Sequence, residues 1–517
     1  MIGYNPDTHH ARIGDTTQVF LDNSLLHWVK NIKRSNHKAI PHKNNPLIKM
    51  DKPWEQMPYF TTCYSIIKDD DDVFKCWYSD FIVNPVHQRP IPYMAPPRWG
   101  SRLCYATSND GINFQKPDLG QLQIDGLDTN IIKWDHQMDV GVAYSIIRDP
   151  IETDMSKRLK MTYLPIEFSG NLPKKATTLS GDLMGLAVAF SSDGINWVPF
   201  SGNPVETVWG GDVQNLMYDP IKRRYVIYGR AHSPGGGGGP GSDGWFTKSF
   251  PDMPYGWVPK RSVYIIESEN LIDWTDASRV LVPGANHNLD DEFYCLAPFR
   301  IGDYYGGLLP VLHAVDNTMD PEFVFSKDGK EWQHIQSDNR LIERTEGSWD
   351  STMITSAEPP IRVGDELYIY YGGSPSHHDW WIVGKSQGLD TLEGEPGYNV
   401  NHGLGLATIR VDGFVSLDAG KRVGIVNTKP IFSVGTKIIV NAKCSPGGYV
   451  KAEIQDTDEN PWPGFSMEDS DVFTGDSVNH VLSWKGVDQI NMIPGYVRVS
   501  FVLKDAELYS FRISDNI

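Results

Sequence analysis

One short pattern recurs along the chain and narrows its fold more than any other feature: a strand, then Ser-x-Asp-Gly-x-x-aromatic. It appears as Ser108-Asn109-Asp110-Gly111-Ile112-Asn113-Phe114 and again as Ser191-Ser192-Asp193-Gly194-Ile195-Asn196-Trp197. A degenerate copy reads Ser268-Glu269-Asn270-Leu271-Ile272-Asp273-Trp274, and a fourth reads Ser326-Lys327-Asp328-Gly329-Lys330-Glu331-Trp332. The fifth and weakest is Val411-Asp412-Gly413-Phe414. Asp-Gly at this place predicts a hairpin turn, because Gly supplies a positive φ and the Asp carboxylate bonds nearby amides. The aromatic then opens the next strand and packs between sheets.

A second shared segment precedes each copy: an apolar strand, a polar turn and an aromatic-rich strand. Examples are Tyr59 to Lys68 with Val73 to Tyr78, and Phe293 to Arg300 with Tyr304 to Val311. Four strands per unit and five units, with aromatic anchors 58 to 83 residues apart, predict an all-β, five-bladed β-propeller over 57–416. The competing arrangement is five unrelated hairpins in two sandwiches. From Leu417 onward the motif is gone. Strand-like runs at Thr436 to Ala442, Tyr449 to Ile454, Val478 to Trp484, Tyr496 to Leu503 and Leu508 to Ile513 predict a C-terminal β-sandwich over 417–517. Residues 1–56 are less regular and read as an N-terminal arm.

Composition agrees with many short strands. Aromatics make up 11% of the 517 residues, and 48 Gly with 35 Pro supply the turns. A net charge of −18 argues against nucleic acid or an anionic membrane as the main partner. Apolar runs such as Gly185 to Phe190 are strand-length, well short of the ~18 residues that cross a bilayer. Met1 to Gly14 has no apolar core of a signal peptide, so a cytoplasmic location is expected unless a leader has been removed. Five scattered cysteines without a Cys-x-x-Cys predict free thiols, mostly buried. The C-terminal domain either braces the propeller or pairs subunits of a homo-oligomer.

The repeated turn is similar to the Asp-box of sialidases, one residue shorter between Asp and the aromatic. The whole arrangement resembles the five-bladed-propeller glycosidases, the superfamily of invertases, fructan hydrolases and arabinanases, which commonly carry a C-terminal β-sandwich. Arg148-Asp149-Pro150 looks like the invertase Arg-Asp-Pro motif. Asp219-Pro220 occupies the equivalent turn of the next blade, so both read as structural turns. The invertase Asn-Asp-Pro-Asn-Gly segment is absent. Phe20-Leu21-Asp22, Asn45-Pro46-Leu47 and Pro53-Trp54-Glu55 look like poorly characterised bacterial members of the superfamily. The resemblance implies a glycoside hydrolase with a carbohydrate substrate.

In a propeller the innermost strands all start at the mouth of one channel, so their first residues converge. Those positions carry Trp54-Glu55, Trp134 with Asp139, Trp209 with Asp212 and Gln214, Asp291-Glu292, and Trp349-Asp350. An indole offers a stacking face for a sugar ring, while carboxylates bind hydroxyls or do acid–base work. Each acid alone could be a solvated loop residue or a turn cap. Gathered together they repel, and glycoside cleavage, which needs one protonated and one ionised carboxyl group, would use that repulsion. The expected machinery is Asp212 as ionised base or nucleophile beside Arg230, with Glu292 as the acid and Asp291 as its rival. Asp139 tunes the pair, and Glu55, Trp54, Trp134, Trp209, Gln214, Trp349 and Asp350 hold substrate. His232 and His378, on loops after the second strands, join the binding set.

No ligand spacing calls for a metal or an organic cofactor, so none is expected, although an acidic funnel suits a cation such as calcium. The run Gly235 to Gly239 lacks the Lys-Ser/Thr of a phosphate loop and reads as an insertion beside the pocket. Two other readings use the same scaffold: a carbohydrate-binding propeller without catalysis, and a polysaccharide lyase or phosphorylase. Phosphorolysis would want convergent Arg, Lys and His.

Overall fold

The computed structural model describes residues 10–81, 83–84, 89–90, 101–134, 140–165, 183–209, 213–231, 261–285, 287–335, 340–378, 402–490 and 495–516. The chain is all-β there, with Met155–Lys157 the one helical turn among the described residues. No helix among them is long and apolar enough to cross a membrane.

The repeated turn owes its shape to the residues that define it. Ser108, Ser191, Ser268 and Ser326 each accept the amide three residues on, at 2.9 to 3.0 Å. Asp110, Asp193 and Asp328 each accept two amides through one carboxylate oxygen, and the Asn270 amide oxygen does the same in the degenerate copy. Gly111, Gly194 and Gly329 have φ between 73° and 86°, and Leu271 is forced to 68° in the degenerate copy. The fifth turn differs, for Asp412 rather than the glycine carries the positive φ.

These turns connect antiparallel sheets in chain order. The first has order Ser101–Ser108, Phe74–Phe81, Pro58–Lys68. The second runs Val140–Arg148, Leu159–Pro165, Leu183–Ser191, Trp197–Pro199, and Glu206–Trp209 also pairs with Leu183–Ser191. The third is Gln214–Asp219, Arg224–Ala231, Ser262–Ser268, Ser278–Leu281. A large fourth sheet holds two such groups, joined by one parallel pairing, Met319 with Met353. Its first group is Asp291–Phe293 with Ala297–Ile301, then Tyr304–His313, Thr318–Ser326 and Trp332–His334. Its second group is Met353–Thr355 with Ile361–Val363, then Glu366–Ser374 and Gly403–Arg410. The last edge is supplied by the N-terminal arm: Ile40–Pro41 and Ile48–Lys49 pair along Gly403–Arg410.

Apolar side chains fill the space between successive groups, as sheets buried on both faces require. Trp77 and Tyr105 meet Tyr144 and Met161; Leu186 and Val188 meet Tyr225 and Ile227; Val226 and Tyr228 meet Leu296 and Tyr305. Phe323 and Phe325 meet Ile369 and Tyr371, and a further cluster joins Tyr370 and Leu406 back to Phe60, Tyr64 and Phe74. The innermost strands also touch one another. Ser65 Oγ bonds the Ile146 backbone, Ser145 Oγ accepts the Leu216 amide at 2.9 Å, and Asn215 donates to the Leu296 carbonyl at 2.8 Å. The Tyr64 hydroxyl reaches the second strand of the last group, donating to the Tyr370 carbonyl at 3.1 Å. Burial raises the pKa of Glu358, which bonds Ser65 and the Ile66 amide across the same seam.

The C-terminal region has its own core, around Val426, Ile438, Val450, Trp484, Phe501 and Phe511. Runs that read as separate strands are continuous here. Lys437–Gln455 and Arg498–Ser514 pair along their length, with register shifts at Asn441/Ala442 and Cys444/Tyr449. Leu26–Lys30 and Lys33–Asn36 from the N-terminal arm join this sheet through Gly424–Thr428 and Val415–Ala419. All five cysteines are free thiols, four of them buried.

Candidate functional site

Asp139, Asp212 and His232 lie outside the described residues, as does the Gly235 to Gly239 run. Trp209 closes the strand Glu206–Trp209, opposite Leu183.

Three of the expected residues, Arg230, Glu292 and His378, gather at one aromatic ring that sequence reasoning passed over, Tyr294. Arg230 ends the second strand of the third sheet and lays its guanidinium 4.4 Å from the Tyr294 ring centroid. Arg261, just before the third strand of that sheet, lies 5.3 Å from the same ring. Arg261 is also 3.0 Å from Glu292, two residues before Tyr294. From the last group, His378 Nε2 bonds the Tyr294 hydroxyl at 2.8 Å, while its amide donates to the Asn317 carbonyl. Gln214 pairs with Gly229, beside Arg230 in register, and neither end of its amide has a partner among the described residues. All six are buried: Arg230 is 3% exposed, Glu292 4% and Arg261 8%. One carboxylate, two guanidiniums and an imidazole–phenol pair are thus held out of water, where electrostatic contacts are strongest.

The remaining expected residues sit in structural contacts. Asp291 accepts from His313 Nδ1 at 2.7 Å, and His313 Nε2 faces Asp320 at 3.2 Å. Burial alone would lower the pKa of His313, but the two carboxylates outweigh it and lift the value to about 9. Burial alone would raise that of Asp291, but His313 and the Asn288 amide hold it low. Arg340 and Arg344 close on Asp320 from the other side.

Glu55 is fully buried, bonded to Lys116 Nζ at 2.7 Å, to the Tyr78 hydroxyl and to the amides of Asp51 and Lys52. Trp54 donates its indole N–H to Asn130 at 3.0 Å. Trp134 packs edge-on against Tyr163. Trp349 lies over strand glycines, since a Cβ on Gly373 or Gly405 would run into its ring, and stacks on Tyr371 at 5.5 Å. The Tyr371 hydroxyl donates to Asp350 at 3.1 Å, and burial raises the pKa of that acid. His402, also passed over, packs against Tyr59, and burial drives its pKa down to about 3.

A cavity of about 510 Å³ opens among Thr16, Arg300, Gly302, Arg362 and Asp412. It lies where the innermost strand Ala297–Ile301 finishes, and the carboxylate–arginine cluster is not part of its wall.

No family profile matches the sequence, and no curated protein does. Among solved structures, a β-1,2-mannobiose phosphorylase from Listeria innocua is 10% identical, covering 74% of this chain and 97% of its own at a TM-score of 0.44. A thermostable family-43 glycoside hydrolase is 11% identical over 71% and 95%, at 0.39. A Bombyx mori GH32 β-fructofuranosidase is 12% identical over 93% and 94%, at 0.38. Scores and identities this low transfer no chemistry, so the reading of the site rests on this chain's own residues.

Proposed function

We propose that the protein is a carbohydrate-active enzyme, a glycoside hydrolase that removes a terminal sugar, built on a five-bladed β-propeller with a C-terminal β-sandwich. The carrying observation is the buried set Glu292, Arg261, Arg230, Tyr294 and His378, drawn from three successive strand groups. Five interleaved apolar clusters, the last reaching back to the first, support the blade count. The pairings of Ile40–Pro41 and Ile48–Lys49 add an outer strand to the fifth blade.

Glycoside cleavage takes two carboxyl groups. Sequence position casts Glu292 as the acid and Asp212 as the ionised partner; the ion pair with Arg261 favours the reverse, with Glu292 the charged carboxylate and Asp212 or Asp139 the proton donor. Gln214, whose buried amide has no partner among the described residues, is suited to a sugar hydroxyl, because burial without a partner costs about 1–3 kcal/mol that a ligand would recover.

A second reading, phosphorolysis, is favoured by one observation: two guanidiniums meet at one buried ring, an arrangement that suits an incoming phosphate. A panel of oligosaccharides incubated with and without inorganic phosphate separates the readings. Free sugar formed without phosphate supports hydrolysis; a sugar 1-phosphate formed only with it supports phosphorolysis. Binding without either product leaves a carbohydrate-binding propeller.

A further inference from the structure

We propose that His287, Glu322 and His334 form a binding site for one divalent transition-metal ion, with zinc the natural match. This inference stands apart from the glycosidase reading. One ring nitrogen of each histidine and one carboxylate oxygen of Glu322 lie within 4.8 Å of one another. Glu322 is on the strand Thr318–Ser326 and His334 on the edge strand Trp332–His334, while His287 comes from the segment before Asp291–Phe293.

The second contacts of each group favour a ligand role. His334 Nδ1 is 2.8 Å from Glu322 Oε2, and a carboxylate only accepts, so Nδ1 carries the proton. A metal takes the place of that shared proton: His334 Nδ1 and Glu322 Oε2, already side by side, become adjacent ligands, and one proton is released on binding. Phe293 packs against both rings, at 5.0 Å from His287 and 5.6 Å from His334, and fixes their planes. The rings themselves lie 4.5 Å apart.

His287 Nδ1 now accepts the Gly284 amide at 3.0 Å. Gly284 is exposed with open space around its Cα, so that amide can turn to water when a metal claims the ring. Two imidazoles and a carboxylate suit a borderline-soft divalent ion such as zinc better than calcium or magnesium, which prefer oxygen. Three protein ligands leave one tetrahedral position for water. An ion here would pin residues 287–290, which lead into Asp291 and Glu292, onto the strands that carry Glu322 and His334.

The test uses the full-length protein, stripped with a chelator and dialysed. Zinc is titrated calorimetrically, and cobalt(II) is followed by its visible absorption. The wild type is expected to take up one equivalent of each ion, to melt at a higher temperature with zinc, and to show the intense cobalt bands of a tetrahedral site. His287→Ala and His334→Ala should each lose that uptake, while His27→Ala, at a surface pair with Glu459, should keep it. Should His334→Ala fold poorly, His287→Gln on the partly exposed segment gives the same readout. A wild type with no saturable one-equivalent uptake, or uptake that survives both histidine changes, overturns the site.

Discussion

The Tyr370 hydroxyl donates to the Gly111 carbonyl at 2.8 Å, joining residues 259 positions apart. The same device recurs twice: the Trp77 indole donates to the Gly194 carbonyl at 2.6 Å, and the Tyr228 hydroxyl to the Gly329 carbonyl at 2.6 Å. Each donor sits on the second strand of one group, and each acceptor is the glycine of the repeated turn in the next. Tyr370 belongs to the last of these groups and Gly111 to the first, so this bond ties the two ends of the series together. A companion set uses the acid–proline turns, where Asp149 accepts from Tyr225 at 2.5 Å and Asp219 from Tyr305 at 2.6 Å. Those two aspartates hold neighbouring groups together, as their reading as structural turns anticipates.

Tyr370→Phe should therefore lower stability by about 1–3 kcal/mol, because it leaves a buried carbonyl without its donor. Gly111→Ala should cost more. Its Cβ would sit 2.5 Å from the Tyr370 oxygen, at a φ of 74° that side chains avoid. Urea unfolding of both variants reads the effect. A Tyr370→Phe midpoint equal to wild type would remove the latch from the account.

Lys116 Nζ reaches Glu55, Asp51 and the Lys49 carbonyl at 2.7 to 2.9 Å, with its own side chain 5% exposed. It thereby ties the first sheet to the arm that edges the last one. Lys116→Met strands the buried Glu55 carboxylate, and a loss of about 3–5 kcal/mol is expected. The double variant Glu55→Gln/Lys116→Met should recover part of it, since no unpaired charge remains. Equal losses in the single and double variants, measured by guanidinium unfolding, would deny the pair its role.

The repeated turn was readable because its chemistry is local: serine, acid, glycine and indole meet within seven residues. Longer-range features left weaker traces. Cys444 to Gly448 looks like a strand boundary, yet Cys444 pairs with Ala506 and Tyr449 with Lys504, so a bulge absorbs the extra residues and the strand continues. The arm's strands are two to five residues long and pair with partners near the other end of the sequence, beyond the reach of periodicity. In the candidate cluster, Glu292 and Gln214 were picked out by position near the start of inner strands, and Arg230 by its place on the adjacent strand. It did not reveal which neighbour takes each charge. Glu55 and Asp291 stand at the same topological position as Glu292, but Lys116 and His313 claim them. Arg261 and Tyr294 were invisible because, in one dimension, they are only a strand's first residue and one more buried aromatic.

The His313 contacts give stability a pH dependence of known sign. Its pKa in the folded protein is about 9, against about 6.5 for an unperturbed histidine. The folded state therefore binds more protons between those values. The stabilisation is complete below about pH 6.5 and is lost as the pH rises through about 9. The melting temperature should fall over that window in the wild type and fall less in His313→Gln. Parallel profiles for the two proteins would show that Asp291 and Asp320 do not hold an imidazolium.

Glu292 and Arg261 test the proposed chemistry, provided each variant first shows wild-type unfolding. Glu292→Gln keeps the shape and removes the charge, so a carboxylate acting on the reacting atoms should lower kcat by on the order of 10²–10⁴ with KM little changed. Arg261→Lys keeps a cation but loses the planar guanidinium that faces both Glu292 and the Tyr294 ring. Under hydrolysis its defect should track that of Glu292→Gln, because its effect passes through that carboxylate. Under phosphorolysis Arg230→Lys and Arg261→Lys should instead raise the KM for phosphate, with the sugar KM unmoved. Wild-type turnover in Glu292→Gln, with a substrate cleaved by the parent enzyme, would exclude Glu292 from the reaction and leave the buried cluster a structural one.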